Sequence, residues 1–220
     1  MILIDGKKAA ADLREELKKE VLSLKDKHNK VPGLTVILIG DLAPSQIYVR
    51  NKEKSANEVG LKSEVIRYPD NVEESEVLKK IDELNNDDSV SGILVQLPLP
   101  KHIDKQKVIE AIMPEKDVDG FHPFNYGKMT LGIDTFIPAT PAGIVELIKR
   151  YKIDLSGKQC LVIGRSQIVG RPISILLSQN QSFANATVTL AHSRSKELET
   201  LCINSDIIIS AIGIPKFLKS

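Results

Sequence analysis

Tyr48 and Lys52 are the residues whose types and spacing most directly suggest chemistry. The surrounding sequence predicts a helix over residues 45–59, and side chains four residues apart share one face of a helix. A phenol and an amine can therefore act together on one bound molecule. Taken singly, each has a plainer interpretation, Tyr48 as a packing residue and Lys52 as a surface charge.

Two further polar residues lie in the same half of the sequence. Gln96 is near the end of the predicted strand 91–97, and Asp119 lies in the irregular sequence Asp-Val-Asp-Gly at 117–120. The carboxyl ends of parallel strands border the binding crevice of a sheet, so we expect Gln96 to reach the pocket of Lys52. A neutral amide can orient the amine, and a carboxylate can accept paired N–H bonds from a heterocycle. The plainer alternatives are that Gln96 caps the end of the strand and that Asp119 forms a turn.

A glycine turn between a strand and a helix is the second candidate site. Gly164 follows the apolar run 160–163, and Gly170 precedes a predicted helix. Backbone N–H groups in such a turn can hold phosphate oxygens. Ser166 replaces the middle glycine of the Gly-x-Gly-x-x-Gly pattern, so an ordinary strand-to-helix turn remains the alternative.

The residues near this turn favour NADP as the cofactor. NAD-selective sites place an acidic side chain at the end of the second strand, whereas this strand is followed by His192, Ser193 and Arg194. With Arg165 beside the glycine turn, these groups suit a dianionic 2′-phosphate. NAD with another anion stays open, and so does the interpretation of both arginines as solvent-facing charges.

Strands that alternate with helices predict an α/β protein with parallel sheets in two domains, at 1–139 and 140–220. The predicted strands cover residues 34–40, 63–68, 91–97, 160–163, 187–191 and 206–211. The predicted helices cover residues 7–27, 45–59, 73–84, 105–112, 140–151, 170–177 and 195–202. Thr140 is the expected N-cap of the helix 140–151. Residues 113–141 are expected to form irregular structure and a boundary region. The second domain has only three strands, so we expect the sequence to be a fragment.

The composition gives no overall bias towards nucleic acid or an anionic membrane. Among 220 residues, 30 are basic and 29 acidic, which leaves a formal net charge of +1. The first residues turn polar too early for a secretory signal, and no apolar run reaches membrane-spanning length. We therefore expect a cytoplasmic protein. Scattered histidines and the isolated Cys160 and Cys202 predict no metal site.

Six ordered motifs closely resemble one family, the bifunctional methylenetetrahydrofolate dehydrogenases and methenyltetrahydrofolate cyclohydrolases. They are Pro-Ser-Gln-Ile-Tyr-Val-Arg-Asn-Lys at 44–52, Val-Gln-Leu-Pro-Leu-Pro at 95–100, Pro-Glu-Lys-Asp-Val-Asp-Gly at 114–120, Pro-Ala-Thr-Pro-Ala-Gly at 138–143, the turn 164–172 and His-Ser-Arg at 192–194. The resemblance covers essentially the whole chain. It implies an N-terminal folate-binding catalytic domain and a Rossmann-like NADP-binding domain that is incomplete at its C-terminal end.

The resemblance also implies roles for the site residues. Lys52 matches the catalytic lysine that moves protons, Gln96 the glutamine that tunes it, and Asp119 the aspartate that anchors the pterin. Tyr48 matches the tyrosine that stacks on the folate. The implied folate-binding residues are Ser45, Tyr48, Gln96, Leu97, Pro98 and Asp119. The implied cofactor-binding residues are Gly164, Arg165, Ser166, Ile168, Gly170, His192, Ser193 and Arg194, with Arg165 and Ser193 near the 2′-phosphate.

The implied activity is a pair of consecutive reactions in one-carbon metabolism. Such an enzyme oxidises 5,10-methylenetetrahydrofolate with NADP and then hydrolyses the 5,10-methenyl cation to 10-formyltetrahydrofolate. A homodimer is implied, without a nucleic-acid or membrane partner. A short-chain dehydrogenase is disfavoured because its Tyr-x-x-x-Lys pair follows the dinucleotide turn instead of preceding it. A non-catalytic folate- or nucleotide-binding protein is the other alternative.

Three features depart from the family pattern. Ala139 stands in place of a cysteine, and Ser195 stands where threonine is usual. The family also continues past residue 220 with another strand, a glycine-rich loop near the nicotinamide and a terminal helix. We therefore expect the dehydrogenase step to depend on that further segment.

Overall fold

Two sheets of three parallel strands each organise residues 2–218, the part of the chain that the computed structural model describes. The first compact unit spans Asp5–Asn125, and the second comprises residues 126–218 together with residues 2–4. The predicted α/β class with parallel sheets is confirmed. Among the described residues, no helix combines the length and the apolar character that crossing a membrane requires.

The first sheet is built around the apolar run that the sequence predicts as a doubly buried strand. Its strands are β1 (Gly33–Ile39), β2 (Lys62–Tyr68) and β3 (Gly92–Val95), in the order β2-β1-β3. Its helices are α1 (Gly6–His28), α2 (Ala43–Val59), α3 (Glu74–Asn85) and α4 (Lys105–Ala111). Ile37 belongs to the larger core cluster, and Val36 packs in a cluster with Val49 of α2. Helices therefore cover both faces of β1, as a parallel sheet requires.

The register of this sheet brings two candidate site segments to one edge. Ile37 pairs with Val95, so Gln96 comes directly after the paired residues and donates its N–H to the Ile37 carbonyl oxygen at 2.9 Å. Helix α2 begins at Ala43, shortly after β1 ends, and therefore starts at the same edge. The carboxyl ends of β1 and β3 thus carry both α2 and Gln96.

A loop that follows α4 runs beside β3 and is anchored at several points. The Lys116 ammonium donates to the carbonyl oxygens of Leu84 at 2.9 Å and Asp87 at 2.8 Å, at the end of α3. The Ile93 N–H donates to the Lys116 carbonyl oxygen at 2.8 Å, and Ile93 forms a parallel bridge with Asp117. Since the two segments run in the same direction, residues after Asp117 continue towards the carboxyl end of β3.

The second unit repeats the strand–helix alternation. Its strands are β4 (Gln159–Ile163), β5 (Thr187–Ala191) and β6 (Ile207–Ser210), in the order β5-β4-β6. The remaining helices are α5 (Pro123–Thr130), which begins before the unit boundary, α6 (Ala139–Arg150), α7 (Gly170–Ser178) and α8 (Leu198–Ile203). Buried residues of α6, β4 and α7 form one core cluster, which includes Val145, Val162 and Ile173. Leu161 and Ile163 point to the opposite face and pack against α8.

Three local predictions are wrong. Residues 113–141 are not wholly irregular, because α5 forms there and Met129 is buried in the core of the second unit. Thr140 does not cap α6, since that helix begins at Ala139 after Pro138 and has no side-chain cap. The strand predicted over 91–97 ends at Val95, where the proline-rich segment begins.

Helix α8 also begins later than the sequence predicts. The predicted helix starts at Ser195, whereas α8 starts at Leu198. The Ser195 N–H donates to the His192 carbonyl oxygen at 2.8 Å, and the Ser195 hydroxyl accepts the His192 N–H at 2.9 Å. Ser195 therefore belongs to a turn after β5, because serine side chains compete with helical structure for backbone groups.

Candidate functional site

A hydrogen bond joins Lys52 to Gln96 at the carboxyl edge of the first sheet. The Lys52 ammonium donates to Gln96 Oε1 at 3.2 Å, and both side chains are half-buried. Gln96 Nε2 donates to the Leu97 carbonyl oxygen at 2.7 Å. Since that bond occupies the NH₂ end of the amide, the oxygen faces the lysine. The sequence-based expectation that Gln96 can reach Lys52 therefore agrees with the geometry.

Helix α2 separates a buried stripe from a face that is open to a ligand. Ser45 and Val49 are buried against the sheet, whereas Tyr48 is 62% exposed. Tyr48 lies one turn before Lys52, so the ring and the amine project from the same side of the helix. An exposed ring beside a half-buried amine offers a flat surface next to a proton-carrying group.

Asp119 supplies a half-buried carboxyl group to the same region. Burial raises the pKa of this carboxyl above its ordinary value, the positive charge of Lys52 opposes the increase, and Asp117 adds to it. Asp119 also lines a cavity of about 10 Å³ together with Leu97 and Phe121, a space of roughly one water molecule. The structure thus brings Lys52, Gln96, Leu97 and Asp119 together within the first unit.

Asp117 has a structural role in this region that the sequence did not reveal. It is only 2% exposed and accepts hydrogen bonds from the N–H groups of Phe121 at 3.3 Å and His122 at 2.8 Å, and from Asn125 Nδ2 at 2.9 Å. Asn125 Nδ2 also donates to the Pro114 carbonyl oxygen at 2.8 Å. A buried carboxylate with three donors closes the loop on itself and fixes the segment that carries Asp119.

The turn between β4 and α7 requires glycine at both ends. Gly164 has a φ of +110°, and a Cβ atom there would lie 2.7 Å from the Ala211 carbonyl oxygen. A Cβ atom at Gly170 would lie 1.9 Å from the Gly164 carbonyl oxygen. The interpretation of an ordinary turn therefore loses weight, since the close approach of backbone to backbone at a helix N-terminus is typical of phosphate-binding turns.

Ser166 shapes this turn from inside. Its hydroxyl accepts the N–H groups of Val169 at 3.1 Å and Gly170 at 3.3 Å, and its carbonyl oxygen accepts the Arg171 N–H at 3.0 Å. The serine that replaces the middle glycine thus binds the backbone N–H groups at the start of α7. The Ser166 side chain has a structural task of its own, in addition to the cofactor contact that the family pattern implies.

Exposed cationic and hydroxyl groups surround the turn. Arg165, Ile168, Ser193 and Arg194 are exposed, and His192 is half-buried. The Gly164 N–H donates to the Ala191 carbonyl oxygen at 2.8 Å, so the segment after β5 adjoins the glycine turn. A dinucleotide with a 2′-phosphate fits this set of residues. Two arginines and a hydroxyl can donate hydrogen bonds to a dianion, and the strand end carries no acidic side chain that would repel it.

Two family models together match most of the chain. The model described as tetrahydrofolate dehydrogenase/cyclohydrolase, catalytic domain, matches residues 4–119. The model described as tetrahydrofolate dehydrogenase/cyclohydrolase, NAD(P)-binding domain, matches residues 138–220. Both candidate sites lie within the matched ranges, the Lys52 site in the first and the glycine turn in the second.

Relatives and solved structures match over nearly the whole chain. The bifunctional protein FolD of Pelagibacter ubique is 62% identical over all of this chain and 77% of its own length. The crystal structure of the bifunctional enzyme FolD from Campylobacter jejuni superposes with a TM-score of 0.95 at 46% identity, over 100% of this chain and 77% of that one. The Trypanosoma brucei enzyme, complexed with NADP cofactor and inhibitor, gives a TM-score of 0.91 at 34% identity, over 97% and 72% of the two chains.

Replacing Gly170 by alanine is expected to destabilise the second unit. The added methyl group must displace the Gly164 carbonyl, which lies 1.9 Å from the ideal Cβ position. The matched control is Gly143→Ala in α6, where a Cβ meets nothing within 4 Å and where alanine favours the helix by roughly 1 kcal/mol. Thermal unfolding should show a lower midpoint for the first variant and an unchanged or higher midpoint for the second. Equal midpoints for both would contradict the required close approach.

Replacing Asp119 by asparagine is expected to stabilise the chain in a pH-dependent way. Because burial raises the pKa of Asp119 in the folded state, the charged carboxylate opposes folding at neutral pH. That penalty is fully present above the raised pKa and disappears as the pH falls below the ordinary value of 3.8. Urea unfolding should therefore find Asp119→Asn more stable than the wild type at neutral pH, with the gap closing in acid. The exposed Asp88→Asn is the control, and a gap independent of pH would refute the assignment.

Proposed function

Because the chain belongs to the tetrahydrofolate dehydrogenase/cyclohydrolase family, we propose that it catalyses two consecutive reactions of folate in one pocket. The first oxidises 5,10-methylenetetrahydrofolate with NADP, and the second hydrolyses the resulting 5,10-methenyl cation to 10-formyltetrahydrofolate. The family resemblance indicated by the sequence motifs is confirmed by the family models and relatives. The assignment of roles to individual residues is our proposal.

The observation that carries the proposal is the hydrogen bond between Lys52 Nζ and Gln96 Oε1. An amine that can exchange protons is held at one position by a neutral partner, and Asp119 lies close enough to interact with it electrostatically. The neutral amide of Gln96 orients the amine through a single hydrogen bond. We propose that Nζ of Lys52 carries the protons that the reaction moves, which is the role of a general acid–base group.

The hydrolytic step needs a water molecule to add to the carbon of the methenyl cation. Overall, the cation and water yield the neutral formyl product and one proton. In our proposal Lys52 Nζ takes a proton from the attacking water and returns one to the ring nitrogen whose bond to the carbon breaks. Gln96 Oε1 keeps Nζ at the place where both transfers occur, which is the advantage of a fixed orientation.

The folate itself is held by residues on either side of this amine. Tyr48 offers an exposed ring for stacking on the pterin or the adjoining aromatic ring. Asp119 accepts hydrogen bonds from N–H groups of the pterin, and Leu97 and Pro98 form an apolar wall of the pocket. Ser45 contributes a polar group to the same pocket. These contacts follow the family pattern at the matching positions.

The cofactor lies at the glycine turn of the second unit. We assign the pyrophosphate to the backbone between Gly164 and Gly170, with Ser166 and Ile168 in the same turn. Arg165, Ser193 and Arg194 surround the 2′-phosphate. The bound nicotinamide supplies the acceptor for the hydride that leaves the folate methylene carbon. In our proposal, the residues of each site bind and orient their own ligand.

Several expectations from the sequence stay as proposals. We keep residues 1–139 as the folate domain and 140–220 as the cofactor domain. A homodimer, a cytoplasmic location and the lack of a nucleic-acid partner, a membrane partner or a metal remain predictions. The short-chain dehydrogenase interpretation is dropped, because the chain belongs to a different family.

Replacing Lys52 by methionine is expected to remove the cyclohydrolase activity while keeping most of the side-chain volume. The loss should be about 100-fold or more, the usual contribution of a general acid–base group. The matched control is Lys54→Met, an exposed lysine on another face of α2 that has no part in the proposal. Hydrolysis of methenyltetrahydrofolate, followed by absorbance, checks both variants. Full activity of Lys52→Met would exclude the proposed proton transfer.

Replacing Arg165 by alanine is expected to weaken NADP far more than NAD. A charge-assisted hydrogen bond to the 2′-phosphate contributes about 2 kcal/mol, which corresponds to about 30-fold in the dissociation constant. Titration calorimetry with each nucleotide measures the two constants. Lys158→Ala, an exposed cation at the amino end of β4, is the control. Equal losses for NADP and NAD would mean that Arg165 does not contact the 2′-phosphate.

A further inference from the structure

We propose that His192 and Ser195 are positioning residues that hold the segment 192–195 in the shape required for the 2′-phosphate, and so set the preference for NADP over NAD. The inference rests on the proposed function, because it assumes a dinucleotide at the glycine turn. It assigns to His192 a task other than contact with the cofactor. It also gives Ser195 a functional reason to be a hydroxyl residue.

Three hydrogen bonds close this short segment on itself. The Arg194 N–H donates to His192 Nδ1 at 3.1 Å. The His192 N–H donates to the Ser195 hydroxyl at 2.9 Å, and the Ser195 N–H donates to the His192 carbonyl oxygen at 2.8 Å. Both side chains that take part thus accept backbone N–H groups of the same turn, and neither bond involves Ser193.

The closed turn directs the other two side chains outward. Ser193 and Arg194 are exposed, whereas Ala191 just before them is buried and accepts the Gly164 N–H at 2.8 Å. The turn is therefore fixed at its base to the glycine turn and along its length by His192 and Ser195. The two groups with the chemistry for a dianion are carried at its tip.

Preorganisation explains why such bonds affect one nucleotide and not the other. NADP and NAD differ only by the 2′-phosphate, so a looser turn weakens the ligand that uses its tip. In the wild type the turn is already ordered before the nucleotide binds. In a variant with a looser turn, the entropy cost of ordering it reduces the affinity for NADP. Damage to the glycine turn or to the sheet would instead weaken both nucleotides alike.

Paired substitutions at each position test the inference on the intact chain. His192→Phe keeps a ring but removes the acceptor, whereas His192→Asn keeps an acceptor that can reach the N–H two residues on. Ser195→Ala removes the hydroxyl, and Ser195→Thr keeps it. Thr189→Ala, at an exposed position of β5, is the control. Calorimetry with NADP and with NAD gives two dissociation constants for each protein.

We expect His192→Phe and Ser195→Ala to weaken NADP by about 3- to 10-fold, the usual effect of one lost hydrogen bond, with NAD changed by less than about 2-fold. His192→Asn, Ser195→Thr and the control should keep the ratio of the wild type. If His192→Phe does not fold, the Ser195 pair makes the same comparison.

Two other results would overturn the inference in distinguishable ways. Suppose that the wild type prefers NADP but that His192→Phe and Ser195→Ala keep its ratio of the two dissociation constants, either because neither constant changes or because both affinities fall equally. The positioning role is then wrong and the proposed function stands. If the wild type itself shows no preference for NADP, the proposed cofactor is wrong, and the inference falls with it.

Discussion

The hydrogen bond from Lys52 Nζ to Gln96 Oε1 is the interaction on which the proposed folate chemistry depends, and it joins two elements that are far apart in the sequence. It forms because β3 pairs with β1 in a register that places Gln96 just beyond Val95, while α2 starts at the same edge of the sheet. The buried strand β1 therefore does more than fill the core. A slip of one residue in the pairing would turn the amide to the other face of the sheet and away from the amine.

The same edge also holds a carboxylate whose charged form is disfavoured by burial. Asp119 is half-buried and its pKa is raised, whereas the neighbouring Asp117 is buried with three hydrogen-bond donors around it. One acid thus organises the loop and the other is left available for a ligand. Such a division is typical of functional sites, where part of the stability of the fold is given up to keep a charged group partly buried.

Much of this arrangement follows from the sequence, and the exceptions have physical causes. The apolar run of β1 predicts the sheet, the spacing of Tyr48 and Lys52 predicts that they share one face of a helix, and the glycines at 164 and 170 predict the turn, because each depends on local pattern or on the absence of a side chain. Helix α5 escaped prediction because its stability comes from burying Met129, which the local sequence cannot show. Asp117 and Ser195 look like ordinary turn residues in the sequence. Their parts depend on partners, such as Asn125 for Asp117, that only the folded chain brings within reach.

The central claim is that one pocket, built around Lys52 and Gln96, serves both the oxidation and the hydrolysis. A tetrahydrofolate analogue that cannot react tests it most directly, through its inhibition constant in the dehydrogenase assay and in the cyclohydrolase assay on the same wild-type protein. NADP must be present at the same concentration in both. A single pocket predicts competitive inhibition with the same constant in the two assays. Competitive inhibition of one reaction while the other proceeds unaffected would contradict it.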